Sequence, residues 1–444
     1  MNSRVKTLVG LVVLVCISLF SACLTHADEI RWDSLKTERI QIENESSGQG
    51  LVLTSYPRPL HALITEVLSW DPKKELNNST QLEPILKRAQ IQGEKSIDLR
   101  EVLRNLSVEF DVSDIQHFRK VWFHLTPQLK IRGLFAIQDF KTPRPLVILR
   151  MGIHGNVDEL LAERFILKAL YEDLKVNVLV LENLTSHAFL SQNTQISFGG
   201  VEEGLHTFAV INFLKDKNYS FSRLISDIHL VGVSLGGQGT FVTALLSEKN
   251  GTQIKSILNF CPLINFSETF EGHAQKSLKN IGIDFWNYHR LHSLNDHYST
   301  KLRDLELWRM PFDLKPRFTP RVLEILNEER RAPLYSAESV LKDFPKIKWP
   351  VGFLEQITQS KSFYEMNDFW KVYQGVKTPI FIYATPKDFL VTNEVNIDRI
   401  FEGKQPGDFK SVKIEKLDRG LHCGLAASYM WDDVVKMIRA GLGL

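Results

Sequence analysis

Residues 230–240 read LVGVSLGGQGT: an apolar run ends on Ser234, which has Gly232 two places before it and Gly236 two places after it. The residues leading in, SDIHLVGV, form a short apolar run of the kind that a strand buried on both faces requires. The residues leading out put Phe241, Ala244 and Leu245 at helical spacing. Ser234 therefore sits in a strand–turn–helix, where a sharp bend exposes its hydroxyl and bulky neighbours would clash. A helix N-terminus there turns backbone N–H groups toward negative charge developing beside the serine. The pattern Gly-x-Ser-x-Gly at such a junction marks Ser234 as a candidate nucleophile.

Outward from this point the chain alternates strands and helices. KVWFHLTP and LKIRGLFAIQD read as two strands meeting near Pro127, and RPLVILRMG as a buried strand. Residues 157–174 carry Val157, Leu160, Leu161 and Phe165 at helical spacing, VNVLVLEN reads as a strand, and a helix is expected from about Gly200. After Ser234 and its helix comes IKSILNFCPLI, another buried strand. This βαβα order predicts an α/β fold, a mostly parallel sheet with helices on both faces. The rhythm breaks at 267–378, an aromatic and charged segment that reads as helical, and resumes with TPIFIYATPKD, FKSVKIEKLDRG and a last helix. A helical insert between two strands of one sheet reads as a cap over the sheet's carboxyl edge.

A nucleophilic serine needs a base, and the base an orienting carboxylate. RGLHCG places His422 in a glycine-flanked loop, and YATPKDFLV places Asp388 just beyond a buried strand. Strand ends on one edge of a parallel sheet converge, so Ser234, Asp388 and His422 are expected to meet. Asp398, Asp408 and Asp418 lie in the same region as rivals to Asp388. Upstream, MGIHGN follows a strand and supplies a loop able to donate a backbone N–H; His154 within it reads as a structural loop residue.

On the His154–Gly155 loop, Gly232-x-Ser234-x-Gly236, Asp388 and His422, in that order, the chain resembles the α/β-hydrolase superfamily. The resemblance covers about 116–266 and 379–444. It implies Ser234 as nucleophile, His422 as general base, Asp388 as its orienter, and an oxyanion hole from the backbone N–H groups of Leu235 and Asn156. It also implies a serine hydrolase acting on carboxylic esters, with a peptidase of the same fold and an inactive binding scaffold as alternatives. Separately, Trp286, Tyr288, Tyr298, Trp308 and Phe312 in the insert over Ser234 are expected to limit access to small or medium ester (or peptide) substrates. The long N-terminal extension and the cap depart from the family pattern and leave substrate class open.

Composition fits this reading. The 444 residues are 43% hydrophobic with 27 Phe, ample for a large core. With 54 basic and 52 acidic residues the net charge is +2, which gives no support to a nucleic-acid partner. No cofactor and no metal site is expected: the spacing of His289, His292 and His297 fits no standard site. Cys261 and Cys423, 162 positions apart, are expected to be buried free thiols. Arg4 and Lys6 precede an apolar run from Leu8 to Phe20, the pattern of a secretory signal cut after Ala27; FSAC instead resembles a lipobox that would lipidate Cys23 and attach the chain to a membrane. Export to the periplasm, the medium or the cell envelope is the expectation, and oligomeric state is not legible. The expected organisation is a signal at 1–27, an N-terminal extension at 28–115, core at 116–266, cap at 267–378 and core at 379–444.

Overall fold

The computed structural model describes residues 30–43, 117–160, 163–193, 198–291, 315–330, 346–368, 376–401, 411–418, 420–425, 429 and 431–444. Its centre is a nine-stranded sheet: β1 (Ile40–Ile42), β2 (Phe118–Thr126), β3 (Leu129–Ala136), β4 (Arg144–Arg150), β5 (Asn177–Leu181), β6 (Ile225–Val233), β7 (Ser256–Phe260), β8 (Ile380–Ala384) and β9 (Val412–Lys416), in spatial order β1-β2-β3-β5-β4-β6-β7-β8-β9. β1, β2, β3 and β5 pair antiparallel, and from β5 onward every pairing is parallel.

The apolar runs of the central strands feed two cores, one on each face. In β4, Leu146 and Ile148 join one core and Val147 and Leu149 the other; in β5, Leu179 and Leu181 part from Val178 and Val180 in the same way. This alternation is why these strands read as continuous apolar runs. Helices α3 (Val201–Leu214) and α4 (Leu235–Asn250) cover the first face with Phe208, Ile211, Phe241 and Leu245. Helices α1 (Arg164–Lys168) and α10 (Trp431–Leu442) cover the second with Phe165, Val434 and Ile438. A short helix α2 (His187–Gln192) follows β5, its N-terminus capped by Ser186, which accepts the Phe189 N–H.

The helix expected over 157–174 forms only in its second half. Asn156 Oδ1 accepts the N–H groups of Asp158 and Glu159 at 3.0 Å each, and Glu182 accepts that of Val157 at 3.0 Å. Side chains thus take the donors that a helix would bring into its own ladder, and the segment turns instead. Leu160 closes the turn at φ +46°, α1 starts at Arg164, and it runs on into a π-helical turn at Ala169–Asp173.

Of the N-terminal extension, residues 30–43 pack on the sheet. Trp32 lies edge-on to Phe135 and Phe140, Tyr219 Oη donates to the Leu35 carbonyl at 2.6 Å, and β1 adds a strand beside β2. The helical readings at HALITEVLSW and PILKRAQ, and the signal with Cys23, lie outside the described residues.

Among the described residues between β7 and β8 come helices α5 (Phe266–His273), α6 (Leu278–Arg290), α7 (Phe318–Arg330), α8 (Phe353–Gln359) and α9 (Phe363–Asn367), in the segment expected to form a cap. Asn265, Ser277 and Ser362 cap α5, α6 and α9 by accepting N–H groups from the first turn. Asp284 of α6 accepts the N–H groups of Arg317, Phe318 and Thr319 and so holds the start of α7. Asn367 ties α9 to the core by accepting the Val201 N–H at 3.1 Å.

Candidate active site

Ser234 caps α4 with φ 53° and ψ −119°, a conformation that L-residues rarely adopt. Its backbone is held on three sides: its N–H donates to the Phe260 carbonyl at 2.9 Å, and its carbonyl accepts from Gly237 and Leu263 at 3.0 Å each. The flanking glycines have a direct steric cause. A Cβ on Gly232 would lie 2.4 Å from Asn259 Oδ1 and 2.5 Å from Gly237 Cα; one on Gly236 would lie 2.5 Å from the Arg150 carbonyl oxygen. The bend fits only because both positions lack a side chain.

Asp388 follows β8 in a turn. Its Oδ1 accepts the N–H groups of Leu390 and Val391 at 3.0 and 2.7 Å, and its Oδ2 lies 2.7 Å from His422 Nδ1. Its rivals are engaged elsewhere: Asp398 pairs with Lys416 and Asp418 accepts from Tyr429, while Asp408 lies outside the described residues. Burial disfavours a charged His422, but the charge and hydrogen bond of Asp388 outweigh it and raise the imidazole above its ordinary range. With Nδ1–H given to Asp388, Nε2 carries the lone pair. Ser234 and His422 line one cavity of about 130 Å³, without a hydrogen bond between them among the described residues. Such contacts are often long before a substrate is bound.

The loop after β4 forms another wall. Gly152 packs against Ser234, a Cβ there standing 3.4 Å from that of Ser234, and Ile153, His154 and Asn156 line the cavity. The His154 N–H donates to Thr185 Oγ1 at 2.7 Å and the Gly155 N–H to the Gly152 carbonyl at 2.9 Å. The sequence-predicted pair Leu235 and Asn156 is placed at the start of α4 and in this wall. Leu235, first in its helix, has no intrahelical acceptor for its N–H.

An antiparallel β-hairpin entering a parallel sheet of order β2-β3-β5-β4-β6-β7-β8-β9, a serine elbow after β6, an acid after β8 and a histidine after β9 together decide the architecture. The chain has the α/β-hydrolase fold. No family model and no curated protein matches it. Among solved structures it is similar to the esterase of Pyrobaculum calidifontis (11% identity, 86% of this chain and 97% of that one, TM-score 0.42). It is also similar to Est1E from Butyrivibrio proteoclasticus (13%, 71% and 94%, 0.35) and to dipeptidyl peptidase 4 of Porphyromonas gingivalis (12%, 73% and 36%, 0.38). Each likeness is one of fold.

Three features of this site escape sequence reading. Glu163, 5% exposed, accepts the Gly152 N–H at 3.0 Å and lines the cavity. Behind the loop runs a buried polar chain: Thr319 accepts from Asn287, whose Oδ1 lies 2.9 Å from His154 Nε2; Thr185 meets the His154 N–H and donates to Asn183, which donates to Glu203. Glu203 ends it in a fully buried ion pair with Arg150 at 2.9 Å. Burial holds the His154 imidazole down to about 4, which favours its neutral form. The third feature is the convergence of the two cysteines. Both are buried and free, as expected, yet the fold sets them beside His422: the Cys423 N–H donates to Cys261 Sγ at 3.3 Å, and Cys423 Sγ lies 3.6 Å from His422 Nε2. His154, Ser234, Cys261 and Cys423 all have positive φ, four of the six such non-glycine residues among those described. Backbone strain gathers at this site. Of the aromatics in the segment 267–378, Trp286 lines the cavity and Tyr288 packs edge-on against Phe318, whereas Tyr298, Trp308 and Phe312 lie outside the described residues. His292 and His297 and the side chain of His289 lie outside them too.

Proposed function

We propose that the chain is an exported serine hydrolase that cleaves carboxylic esters through an acyl-enzyme. Ser234 Oγ attacks the carbonyl carbon while His422 Nε2 takes its proton, then returns it to the departing alcohol; water, deprotonated by the same nitrogen, releases the acid. Asp388 fixes the imidazole tautomer and stabilises the imidazolium. The observation that carries this reading is the 2.7 Å contact between His422 Nδ1 and Asp388 Oδ2, beside a cavity shared with a strained Ser234. The N–H of Leu235 and one from the loop after β4 bear the oxyanion. Asn156 is the sequence candidate for the second donor, and the packing of Gly152 on Ser234 favours its immediate successor, Ile153.

Cavity size supports a small acyl group. A second cavity of about 430 Å³, lined by Trp122, Arg132 and Asp158 and sharing His154, Asn156, Glu159 and Arg290 with the first, is suited to a larger polar alcohol half.

A fluorophosphonate probe is expected to label Ser234. Ser234→Ala and His422→Ala should each lower ester turnover about a thousandfold or more, and the double variant should be hardly worse than either. Labelling that persists in Ser234→Ala would sink the assignment, and cleavage of a peptide panel in preference to esters would replace the ester reading with the peptidase one. For export, Cys23→Ser releasing the protein from the membrane fraction would establish lipidation over cleavage after Ala27.

A further inference from the structure

The Sγ atoms of Cys261 and Cys423 and a ring nitrogen of His422 lie within 4.8 Å of one another, the two cysteines buried and the histidine half-buried, in the turns that follow β7 and β9. Two sulfurs and one imidazole nitrogen are the donor set of a three-ligand zinc site with an open fourth position. Bond lengths of about 2.3 Å to sulfur and 2.0 to 2.1 Å to nitrogen set tetrahedral edges of about 3.6 Å for S···N and about 3.8 Å for S···S. The Cys423 Sγ to His422 Nε2 distance is already 3.6 Å, and the S···S edge needs to contract by about an ångström at most from the 4.8 Å limit. The remaining requirement is an outer-shell partner for the imidazole, since metal-bound histidines donate their other N–H to a carboxylate, as His422 does to Asp388 at 2.7 Å. His422 and Cys423 also line the Ser234 cavity, which gives an ion a path inward.

We propose that these three residues form an inhibitory site for a thiophilic divalent cation, Zn²⁺ above all. Binding releases two thiol protons, so two thiolates neutralise the dication, and it occupies the Nε2 lone pair that would otherwise take the proton of Ser234. Metal and catalysis compete for one nitrogen. The inhibitory consequence rests on the Ser–His reading above, whereas the binding site does not.

The test uses the full chain, reduced and then freed of reductant. Cd²⁺ alone should bind one ion per chain with a thiolate-to-metal ultraviolet absorption band, in wild type and in Ser234→Ala alike. Zn²⁺ should lower ester hydrolysis and fluorophosphonate labelling at least tenfold, and a chelator should restore both. Cys261 lies outside the proposed catalytic machinery, so Cys261→Ser should keep hydrolysis while losing the band and its sensitivity to Zn²⁺. Absence of the band in wild type would overturn the site even if the variant failed to fold. So would Zn²⁺ inhibition unchanged in Cys261→Ser, or a loss reversed by a thiol reductant but not by a chelator, which would mark a disulfide instead. A chain that hydrolyses no ester but shows the band would refute the catalytic reading and leave the metal site standing.

Discussion

His422 can accept the serine proton only while its Nε2 is unprotonated, so its titration sets the acid limb of activity. Asp388 raises that imidazole above its ordinary value of 6.5. On the proposed mechanism, kcat/KM therefore climbs with pH through this raised value and levels off above it. Asp388→Asn removes the stabilising charge, so the limb should move to lower pH. Its plateau should meanwhile fall on the order of a thousandfold, because the amide no longer holds the required tautomer. A pH–rate profile of both proteins checks this, and a limb that stays in place would exclude Asp388 as the partner that tunes the base. His154, held down to about 4, stays neutral throughout and adds no step to the profile. At this scale Ser234 is legible because only a sharp bend explains glycines on both sides of a serine at a strand end. The acid was narrowed but not fixed, since Asp388, Asp398 and Asp418 differ in what they touch rather than in residue type. Glu163 and the paired cysteines left no local pattern: a lone Glu in an apolar-periodic stretch reads as a solvated face, and a spacing of 162 carries no geometry.

Elements meet here through glycine as much as through apolar side chains. Gly204 lies where α3 crosses α4, and a Cβ there would stand 2.3 Å from Val242 Cγ1, 2.4 Å from Val242 Cβ and 3.0 Å from the Gly239 carbonyl oxygen. Alanine is the better helix former by about 1 kcal/mol, yet overpacking costs about 1 to 3 kcal/mol, so Gly204→Ala should destabilise on balance. Chemical denaturation checks the sign. Val242→Ala should recover part of the loss in the double variant, because the clash belongs to the pair. Strictly additive effects would mean that the Val242 Cβ and the Gly239 carbonyl, which alanine at 242 leaves in place, oppose the new Cβ rather than the valine methyls. The same scale shows what periodicity reads well and badly. Strands β4 to β7 were legible because burial on both faces leaves an unbroken apolar run. The segment at 157–174 was not, because its turn is set by Asn156 and Glu182 side chains bonding backbone donors, a competition that apolar spacing does not register.

Residues from both the sheet's loops and helix α6 line the site, so specificity is a question for the whole molecule. The loop after β4, the elbow and the His422 turn line the cavity, together with Leu390 and with Trp286 and Arg290 of α6. Trp286 is fixed by an edge-on contact with His154, whose Nε2 meets Asn287 on the same helix. The space beside Ser234 is small, about 130 Å³, which suits short acyl groups better than long ones. Ester hydrolysis should therefore decline steeply from acetate and butyrate to octanoate and beyond. Trp286→Ala should open the wall toward the cap. Each methylene newly buried contributes about 0.8 kcal/mol, so two more would raise kcat/KM for hexanoate relative to butyrate by about tenfold or more. A series of esters of one alcohol, with acyl chains lengthened two carbons at a time, reads that ratio directly, and a melting curve checks that the loss of the indole has not loosened the cap. Long-chain esters cleaved as fast as acetate by the intact protein would refute the gate. An unchanged ratio in a folded Trp286→Ala variant would place chain-length selection in the walls built by the core.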